Sequence, residues 1–288
     1  MIPFSIFYFK SAPKNNLIKW VKYLLKFKLV KFDNPYNIIG ASQIITQCFL
    51  WLIGIIINDF KILPNIFKEN EYLQFLLYFL CVFHQLCLIR NFYCIISTTS
   101  EIDTIPKDKK NNKKYENYTE CKKCGKLRPP RSHHCSICNL CIDKLDHHCY
   151  FLNNCIGRKN YKYFCSYVFI SLLNTLIMFI LSFLQIKKFI DEINNEFREK
   201  KYYPFTFQIL LRAPISAFFI CIISGIVSLC LIYFVCLHLY LLYYDYTSLE
   251  LKYKQYHIDN PNKKNRKLSQ SISKIFDDSH FLNIYWPD

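Results

Sequence analysis

The sequence is short of glycine, with five in 288 residues, and short of acid, with 21 Asp and Glu against 37 Lys and Arg. The glycine shortage accompanies abundant Asn, Lys, Ile and Tyr, the signature of AT-rich coding, and carries no functional weight. The shortage of acid leaves a formal charge of +16 on a chain that is 52% apolar and 18% aromatic. Soluble basic domains rarely combine those properties, whereas apolar blocks separated by Lys and Arg are what membrane proteins contain. No small-residue cleavage site follows the apolar residues 1–9, so no signal peptide is expected. Cysteine, by contrast, is plentiful at 15. In a short secreted chain that number would mean disulfides. Here seven fall between Cys121 and Cys155, in Cys-x2-Cys spacings among histidines, which favours metal binding and a reducing, cytosolic face. The other eight lie in or close to apolar segments, where a free Cys behaves as a small hydrophobe.

Four segments, 38–57, 72–96, 163–184 and 215–244, are apolar enough to cross ~30 Å of hydrocarbon, which takes roughly 20 helical residues. The segments between them decide the orientation. Residues 1–37, 97–162 and 245–288 hold 28 Lys and Arg, and the two intervening loops hold 8. The positive-inside rule puts the richer set in the cytosol. The expected fold is thus an α-helical membrane protein: a cytosolic segment 1–37, transmembrane helices 1 and 2 within 38–96, and a cytosolic cysteine-rich domain at 97–162. Helices 3 and 4 follow within 163–244, then a cytosolic tail at 245–288. Residues 17–31 alternate Leu17, Ile18, Trp20, Val21, Leu24 and Leu25 with Lys19, Lys22, Lys26 and Lys28. They fit either a basic amphipathic helix on the anionic leaflet or a basic linker before the membrane. Arg90 and His238 sit near the ends of spans, from which they can reach the headgroups; His84 lies deeper, where an interhelical hydrogen bond is expected.

Between spans two and three, a shift of 14 positions maps Cys121 onto Cys135, Cys124 onto Cys138, His134 onto His148 and Cys141 onto Cys155. The pattern Cys-x2-Cys-x9-His-x6-Cys therefore occurs twice, interleaved. The two sets are Cys121, Cys124, His134, Cys141 and Cys135, Cys138, His148, Cys155. Three thiolates and one imidazole make a closed tetrahedral set, the donor chemistry of structural Zn²⁺ rather than Ca²⁺ or Mg²⁺. Two structural zincs are expected to fold a loop with little apolar core of its own.

Once eight ligands are assigned, Cys149, His133 and His147 are left over. The same shift would start a third copy at Cys149, but position 152 is Leu. A free thiol is only a few per cent thiolate at neutral pH and needs a base. His147 stands two residues before it, and Asp146 can orient that imidazole. Span three begins about a dozen residues later, so the thiol is expected at the membrane boundary, within reach of a soluble thioester carrier and a lipid-buried acyl chain.

The frame Cys121-x2-Cys124 … Arg128-Pro129-Pro130-Arg131-Ser132-His133-His134-Cys135 … Asp146-His147-His148-Cys149 … Asn153-Asn154-Cys155-Ile156-Gly157 … Asn160 resembles the DHHC-type zinc-finger protein S-acyltransferases. The resemblance covers the four spans, the cysteine-rich domain and part of the tail. It implies that Cys149 accepts an acyl group, usually palmitoyl, from acyl-CoA and passes it to a cysteine of a membrane-associated substrate protein. His147 would be general base with Asp146 behind it, and the family's two zinc sites fall on the eight repeat residues. The family's helices form a tent-like cavity closed toward the lumen, and Phe151 and Asn174 would line it. Thr247-Ser248-Leu249-Glu250 resembles the family's Thr-Thr-x-Glu motif, with the Ser248 hydroxyl able to reach the active site.

The sequence departs from the family in Tyr150-Phe151 after the nucleophile, in Ser100-Glu101-Ile102-Asp103 where Asp-Pro-Gly is usual, and in Ser271 and Asp277 around the C-terminal segment. The family's base rates point to the Golgi or other endomembranes and leave room for an accessory subunit. The alternative class is a catalytically silent, zinc-stabilised membrane scaffold. Lys122, Lys123, Lys126, Arg128 and Arg131 are assigned to lipid headgroups or CoA phosphates; no recognition-helix frame is visible, and no nucleic-acid partner is expected.

Overall fold

The structure is a computed structural model, and it describes residues 52–54, 56, 62–105, 113–198 and 213–253. The first expected span, 38–57, falls outside the described residues except for 52–54 and 56, which are helical; segments 17–31 and 271–276 fall outside entirely. Three described helices are long and apolar enough to cross a membrane: α2 (Glu71–Ser97), α3 (Tyr161–Arg198) and α4 (Ile215–Tyr244). A single turn, α1 (Leu63–Ile66), precedes them, and a short α5 (Ser248–Tyr253) follows. At 1.5 Å per residue the three are about 40, 57 and 45 Å long, all beyond the ~30 Å hydrocarbon layer.

Local chemistry sets the helix ends. Asn70 caps α2 by accepting the Leu73 N–H at 3.0 Å, and Glu71 stands in its first turn. The helix α4 stops at Asp245, which adopts the left-handed conformation (φ 52°) and donates its N–H to Leu241 and Leu242. The third span was expected to end near residue 184, but α3 runs on to Arg198. Loss of apolar character does not end a helix; Lys187, Lys188, Asp191, Glu192 and Glu196 are acceptable helix residues in water. At that far end Lys188 donates to the Asn65 carbonyl at 2.7 Å. Below it Ile62 and Leu63 bury themselves against Cys81, Leu181 and Ala217.

α3 packs against both α2 and α4. Small polar groups serve that contact: Ser228 of α4 donates to Thr175 of α3 at 3.0 Å. Outward rows such as Phe75, Phe79, Leu86 on α2 and Ile222, Ile226, Leu229, Tyr233 on α4 remain exposed. Helices that are apolar on all sides and mostly uncovered need hydrocarbon around them, so this is an integral membrane protein of helices with a Cys/His-rich module inserted between α2 and α3. The Nδ1 of His84, expected to bond across helices, is 2.8 Å from the Leu80 carbonyl of its own helix. His238 does not reach outward; it is 5% exposed.

Candidate active site and metal clusters

The module is a run of three antiparallel hairpins: β1 (Thr119–Glu120) with β2 (Leu127–Arg128), β3 (His133–Cys135) with β4 (Leu140–Ile142), and β5 (His147–Cys149) with β6 (Asn154–Ile156). The 14-residue repeat of the sequence is a repeat of structure. Register pairs advance in step, with Thr119 opposite Arg128, His133 opposite Ile142 and His147 opposite Ile156. Each hairpin turns through a left-handed residue at the same place, Gly125 (φ 67°), Asn139 (φ 53°) and Asn153 (φ 45°), residue types that tolerate that conformation.

Each metal-type cluster joins the turn of one hairpin to the strands of the next. Cys121 and Cys124 meet His134 and Cys141, which face each other across β3 and β4. Cys135 and Cys138 meet His148 and Cys155, which face each other across β5 and β6. Within each set the ligand atoms lie within 4.8 Å of one another. Tetrahedral coordination with metal–sulfur bonds of about 2.3 Å and metal–nitrogen bonds of about 2.0–2.1 Å has edges of about 3.5–3.8 Å. The observed separations match: Cys124 Sγ to Cys141 Sγ is 3.4 Å and Cys141 Sγ to His134 Nδ1 3.7 Å. In the second set Cys138 Sγ to Cys155 Sγ is 3.4 Å, and His148 Nδ1 is 3.4–3.8 Å from the three sulfurs. Both donor sets therefore fit a tetrahedral metal ion. No disulfide joins the described cysteines.

The turn of the third hairpin holds no cluster of its own. Cys149 occupies the place of Cys121 and Cys135, and Leu152 the place of Cys124 and Cys138. Cys149 and Leu152 are instead buried with Ile95 of α2, Ile156, and Phe164 and Val168 of α3; Phe92, Leu231 and Val235 pack around them. The thiol thus sits where three spanning helices converge on the module. His147 hydrogen-bonds with it, and its Nδ1 is 2.7 Å from Asp146 Oδ2. Asp146 is 2% exposed and receives two further hydrogen bonds from Ser248, backbone N–H to Oδ1 at 2.7 Å and hydroxyl to Oδ2 at 2.9 Å. Burial works against its charge, but the His147 contact and the Ser248 N–H hold the carboxyl below its usual range. Burial also opposes charge on His147. The Asp146 hydrogen bond and the Cys149 sulfur outweigh that and push its pKa up to about 9.

The array is fixed to the helices at several points. Thr247 and Glu250 form a capping box at the start of α5: the Thr247 N–H donates to Glu250 at 2.9 Å and the Glu250 N–H to the Thr247 hydroxyl at 3.2 Å. The same carboxylate takes a two-pronged contact from Arg131, at 2.6 and 2.7 Å, and Arg131 also donates to the Asp245 carbonyl at 2.6 Å. Lys144 adds an ion pair with Asp245 at 2.8 Å. The other edge is held by asparagines that satisfy the open carbonyls ending α2. Asn154 donates to the Ile95 carbonyl at 2.7 Å, and Asn160 to that of Thr98 at 3.1 Å while accepting the Gly157 N–H at 2.9 Å. Gly157 has no room for a side chain, since an added Cβ would lie 2.7 Å from the Asp143 carbonyl.

Arg131→Met is expected to strand the buried Glu250 charge and cost about 3 kcal/mol, the low end for a buried pair because Arg131 is itself partly exposed. That corresponds to a fall of roughly 5–10 °C in a thermal-shift assay in detergent; a variant melting with the wild type would dismiss the clamp.

The structure brings Asp146, His147, Cys149 and Ser248 together, and Thr247 stands one step behind. Phe151 and Asn174, expected along an acyl cavity, lie on different elements, the turn after Cys149 and α3. Phe151 is 65% exposed, and Leu152, 2% exposed, is the residue of that turn that packs beside the thiol. Asn174 is buried on α3, ten residues beyond Phe164. The segment that departs from Asp-Pro-Gly still docks: Glu101 bridges Ile142, Ile102 donates its N–H to the Cys141 carbonyl at 3.0 Å, and Glu101 pairs with Lys126 at 2.7 Å. Sequence reasoning missed Leu152, the Arg131–Glu250 pair and the aromatic groups around His147, treated below. Of these only Glu250 carried a local signal, as the fourth residue of a Thr-x-x-Glu capping box.

A membrane-embedded helical protein whose Cys/His-rich module presents a thiol, an imidazole and a carboxylate at the helix ends is the class that fold and site define. Residues 113–255 match the DHHC palmitoyltransferase family. The chain is similar to palmitoyltransferase ZDHHC16B of Danio rerio, 40% identical over 135 residues, covering 47% of this chain and 34% of that protein. It is also similar to probable protein S-acyltransferase 6 of Arabidopsis thaliana, 32% identical over 184 residues, covering 62% of this chain and 42% of the relative. Protein S-acyltransferase 8 of the same plant is 34% identical over 139 residues, 48% of this chain and 31% of its own length. The chain thus spans less than half the length of these relatives.

Proposed function

We propose that this chain is a protein S-acyltransferase working through a thioester on Cys149. The observation that carries the proposal is the Asp146–His147–Cys149 array set into an apolar cluster where α2, α3 and α4 meet. The His147 imidazole, its pKa pushed up to about 9 by Asp146 and the neighbouring sulfur, is the base that takes the thiol proton as the sulfur attacks. Asp146, fixed by Ser248, sets the tautomer and charge of that imidazole. The thiolate attacks the carbonyl carbon of an acyl-CoA, usually palmitoyl-CoA; the C–S bond to CoA breaks, and the leaving CoA sulfur takes the proton from His147. In the second half His147 accepts the proton of a substrate protein's cysteine, that sulfur attacks the thioester, and Cys149 is released. One thioester is consumed for each formed, so little free energy is needed.

The two Cys/His clusters suit structural Zn²⁺, held by Cys121, Cys124, His134, Cys141 and by Cys135, Cys138, His148, Cys155. Bound there, the metal would cross-link successive hairpins and leave no open coordination position for chemistry. The acyl chain would pass through the cluster of Ile95, Leu152, Phe164, Val168, Leu231 and Val235, with Asn174 further along α3. The charge asymmetry supports four spans, with residues 1–37, the module and the tail from 245 on the cytosolic side. Partners are a long-chain acyl-CoA, membrane-associated substrate proteins and the bilayer, with room for an accessory subunit; Golgi or other endomembranes fit the family.

The test is a two-stage label. Metal-replete protein in lipid vesicles, given alkyne-palmitoyl-CoA, is expected to carry a hydroxylamine-sensitive label. After removal of donor, the label should move to an added membrane-anchored cysteine peptide. No thioester label on metal-replete protein would favour the silent scaffold instead.

A further inference from the structure

Behind His147 lies a second pair of polar groups that thioester exchange, as set out above, does not use. Tyr161, the first residue of α3, places its hydroxyl 2.9 Å from Nδ1 of His238, near the module end of α4. The two imidazoles, His238 and His147, have ring centroids 6.4 Å apart at an angle of 44°. Phe164 meets both rings edge to face, at 5.2 Å and 70° from His147 and 5.1 Å and 71° from His238. His238 also lies within electrostatic reach of Asp146.

The hydrogen bond to Asp146 fixes one edge of the His147 ring, and the contact with Cys149 then depends on how the ring is turned about that bond. The Phe164 ring limits that turning, because it meets the imidazole at 5.2 Å and 70° within the same packed cluster as Cys149. Phe164 in turn touches both His147 and His238, the three rings standing at the corners of a triangle, and lies one turn along α3 from Tyr161. Its position is therefore set by how closely α3 and α4 approach at this level, and the Tyr161–His238 bond ties those two helices together there. We propose that Tyr161 and His238 form a positioning pair that holds the His147 imidazole on Cys149 through Phe164. The proposal rests on Cys149 being the nucleophile. An ordinary helix-packing bond would stabilise the bundle and leave the chemistry alone, which makes the two roles separable.

The experiment uses the full chain, metal-replete, in vesicles, with two readouts: single-turnover acylation from palmitoyl-CoA, and alkylation of Cys149 by iodoacetamide followed on its peptide. Tyr161→Phe removes one oxygen and keeps the ring. It is expected to slow both reactions about three- to fifteen-fold, the range of an interhelical hydrogen bond in a membrane, with KM for palmitoyl-CoA unchanged. His238→Ala should do at least as much, His238→Gln should recover part of the loss, and the Tyr161→Phe/His238→Ala double variant should be no slower than His238→Ala alone. Wild-type rates in Tyr161→Phe and His238→Ala, or losses that multiply in the double variant, overturn the pair. Should His238→Ala lose metal or melt early, Tyr161→Phe decides. If the wild type takes no acyl label yet alkylation of Cys149 still slows in Tyr161→Phe, the acyltransferase reading fails and the positioning pair stands.

Discussion

A Cys149→Ser variant is expected to take no hydroxylamine-sensitive acyl label and to lose turnover by at least about a thousandfold. A serine hydroxyl in the same place is a far weaker nucleophile at neutral pH, since the imidazole that can hold a thiol proton cannot hold that of an alcohol. Any ester it did form would resist hydroxylamine. Cys149 lies outside both metal-type clusters, so metal content and melting temperature should match those of the wild type. That separation is what makes the result informative: loss of chemistry with an intact module. The same exchange 14 residues earlier, Cys135→Ser, removes a ligand and should behave oppositely, losing metal first and activity with it. A thioester label surviving in Cys149→Ser, with substrate acylation undiminished, would sink the assignment of the nucleophile.

Chelation is the second large effect. The strands of the module are two or three residues long, and its small interior clusters are built largely of the cysteines themselves: Cys135 and Cys155 with Ile142 and Leu145, Cys121 and Cys141 with Ile102. So little apolar area cannot offset the entropy of ordering the chain. Structural zinc in comparable peptides supplies about 10–16 kcal/mol of apparent folding free energy. A strong chelator is expected to release two metal ions per chain, open the module to protease and abolish acylation, while α2, α3 and α4 keep their far-ultraviolet signal in lipid. Restoring Zn²⁺ should return activity. Metal loss without change in protease pattern would show that the clusters do not hold the module together.

Much of this site could be read before the structure, because its grammar is local. Ligands that recur every 14 residues must recur in space if each unit folds alike, and the three hairpins do. The three described spans were legible for the same reason, since apolar length is a one-dimensional property; among them only the far end of α3 escaped, where helix propensity outlasted hydropathy. What escaped otherwise depends on contacts between distant segments. Arg131 meets Glu250 across 119 residues and Tyr161 meets His238 across 77, and no periodicity links such pairs. His238 was read as reaching for headgroups because a polar residue near a helix end usually does so; Tyr161 offered it a partner inside. In the turn after Cys149 the resemblance singled out Phe151, whereas position 152, which stands where Cys124 and Cys138 stand in the earlier hairpins, holds the residue of that turn that is buried, Leu152.

The third hairpin also differs from the second at very few informative places. Ser132-His133-His134-Cys135 and Asp146-His147-His148-Cys149 differ only in their first residue, and Cys138 is matched by Leu152. One change gives the leading histidine a carboxylate; the other withholds a second thiol and leaves the first without an ion to hold it. Apolar side chains then fill the place that the turns of the other two hairpins give to a metal-type cluster, with Ile95, Leu152, Phe164 and Val168 packed together with Cys149 in one apolar cluster. An acyl chain laid into that cluster would add to the seal that keeps the unit folded. Loading and folding of the third hairpin would then be linked equilibria, and the acylated state would be the tighter one, ready to open again as the chain departs.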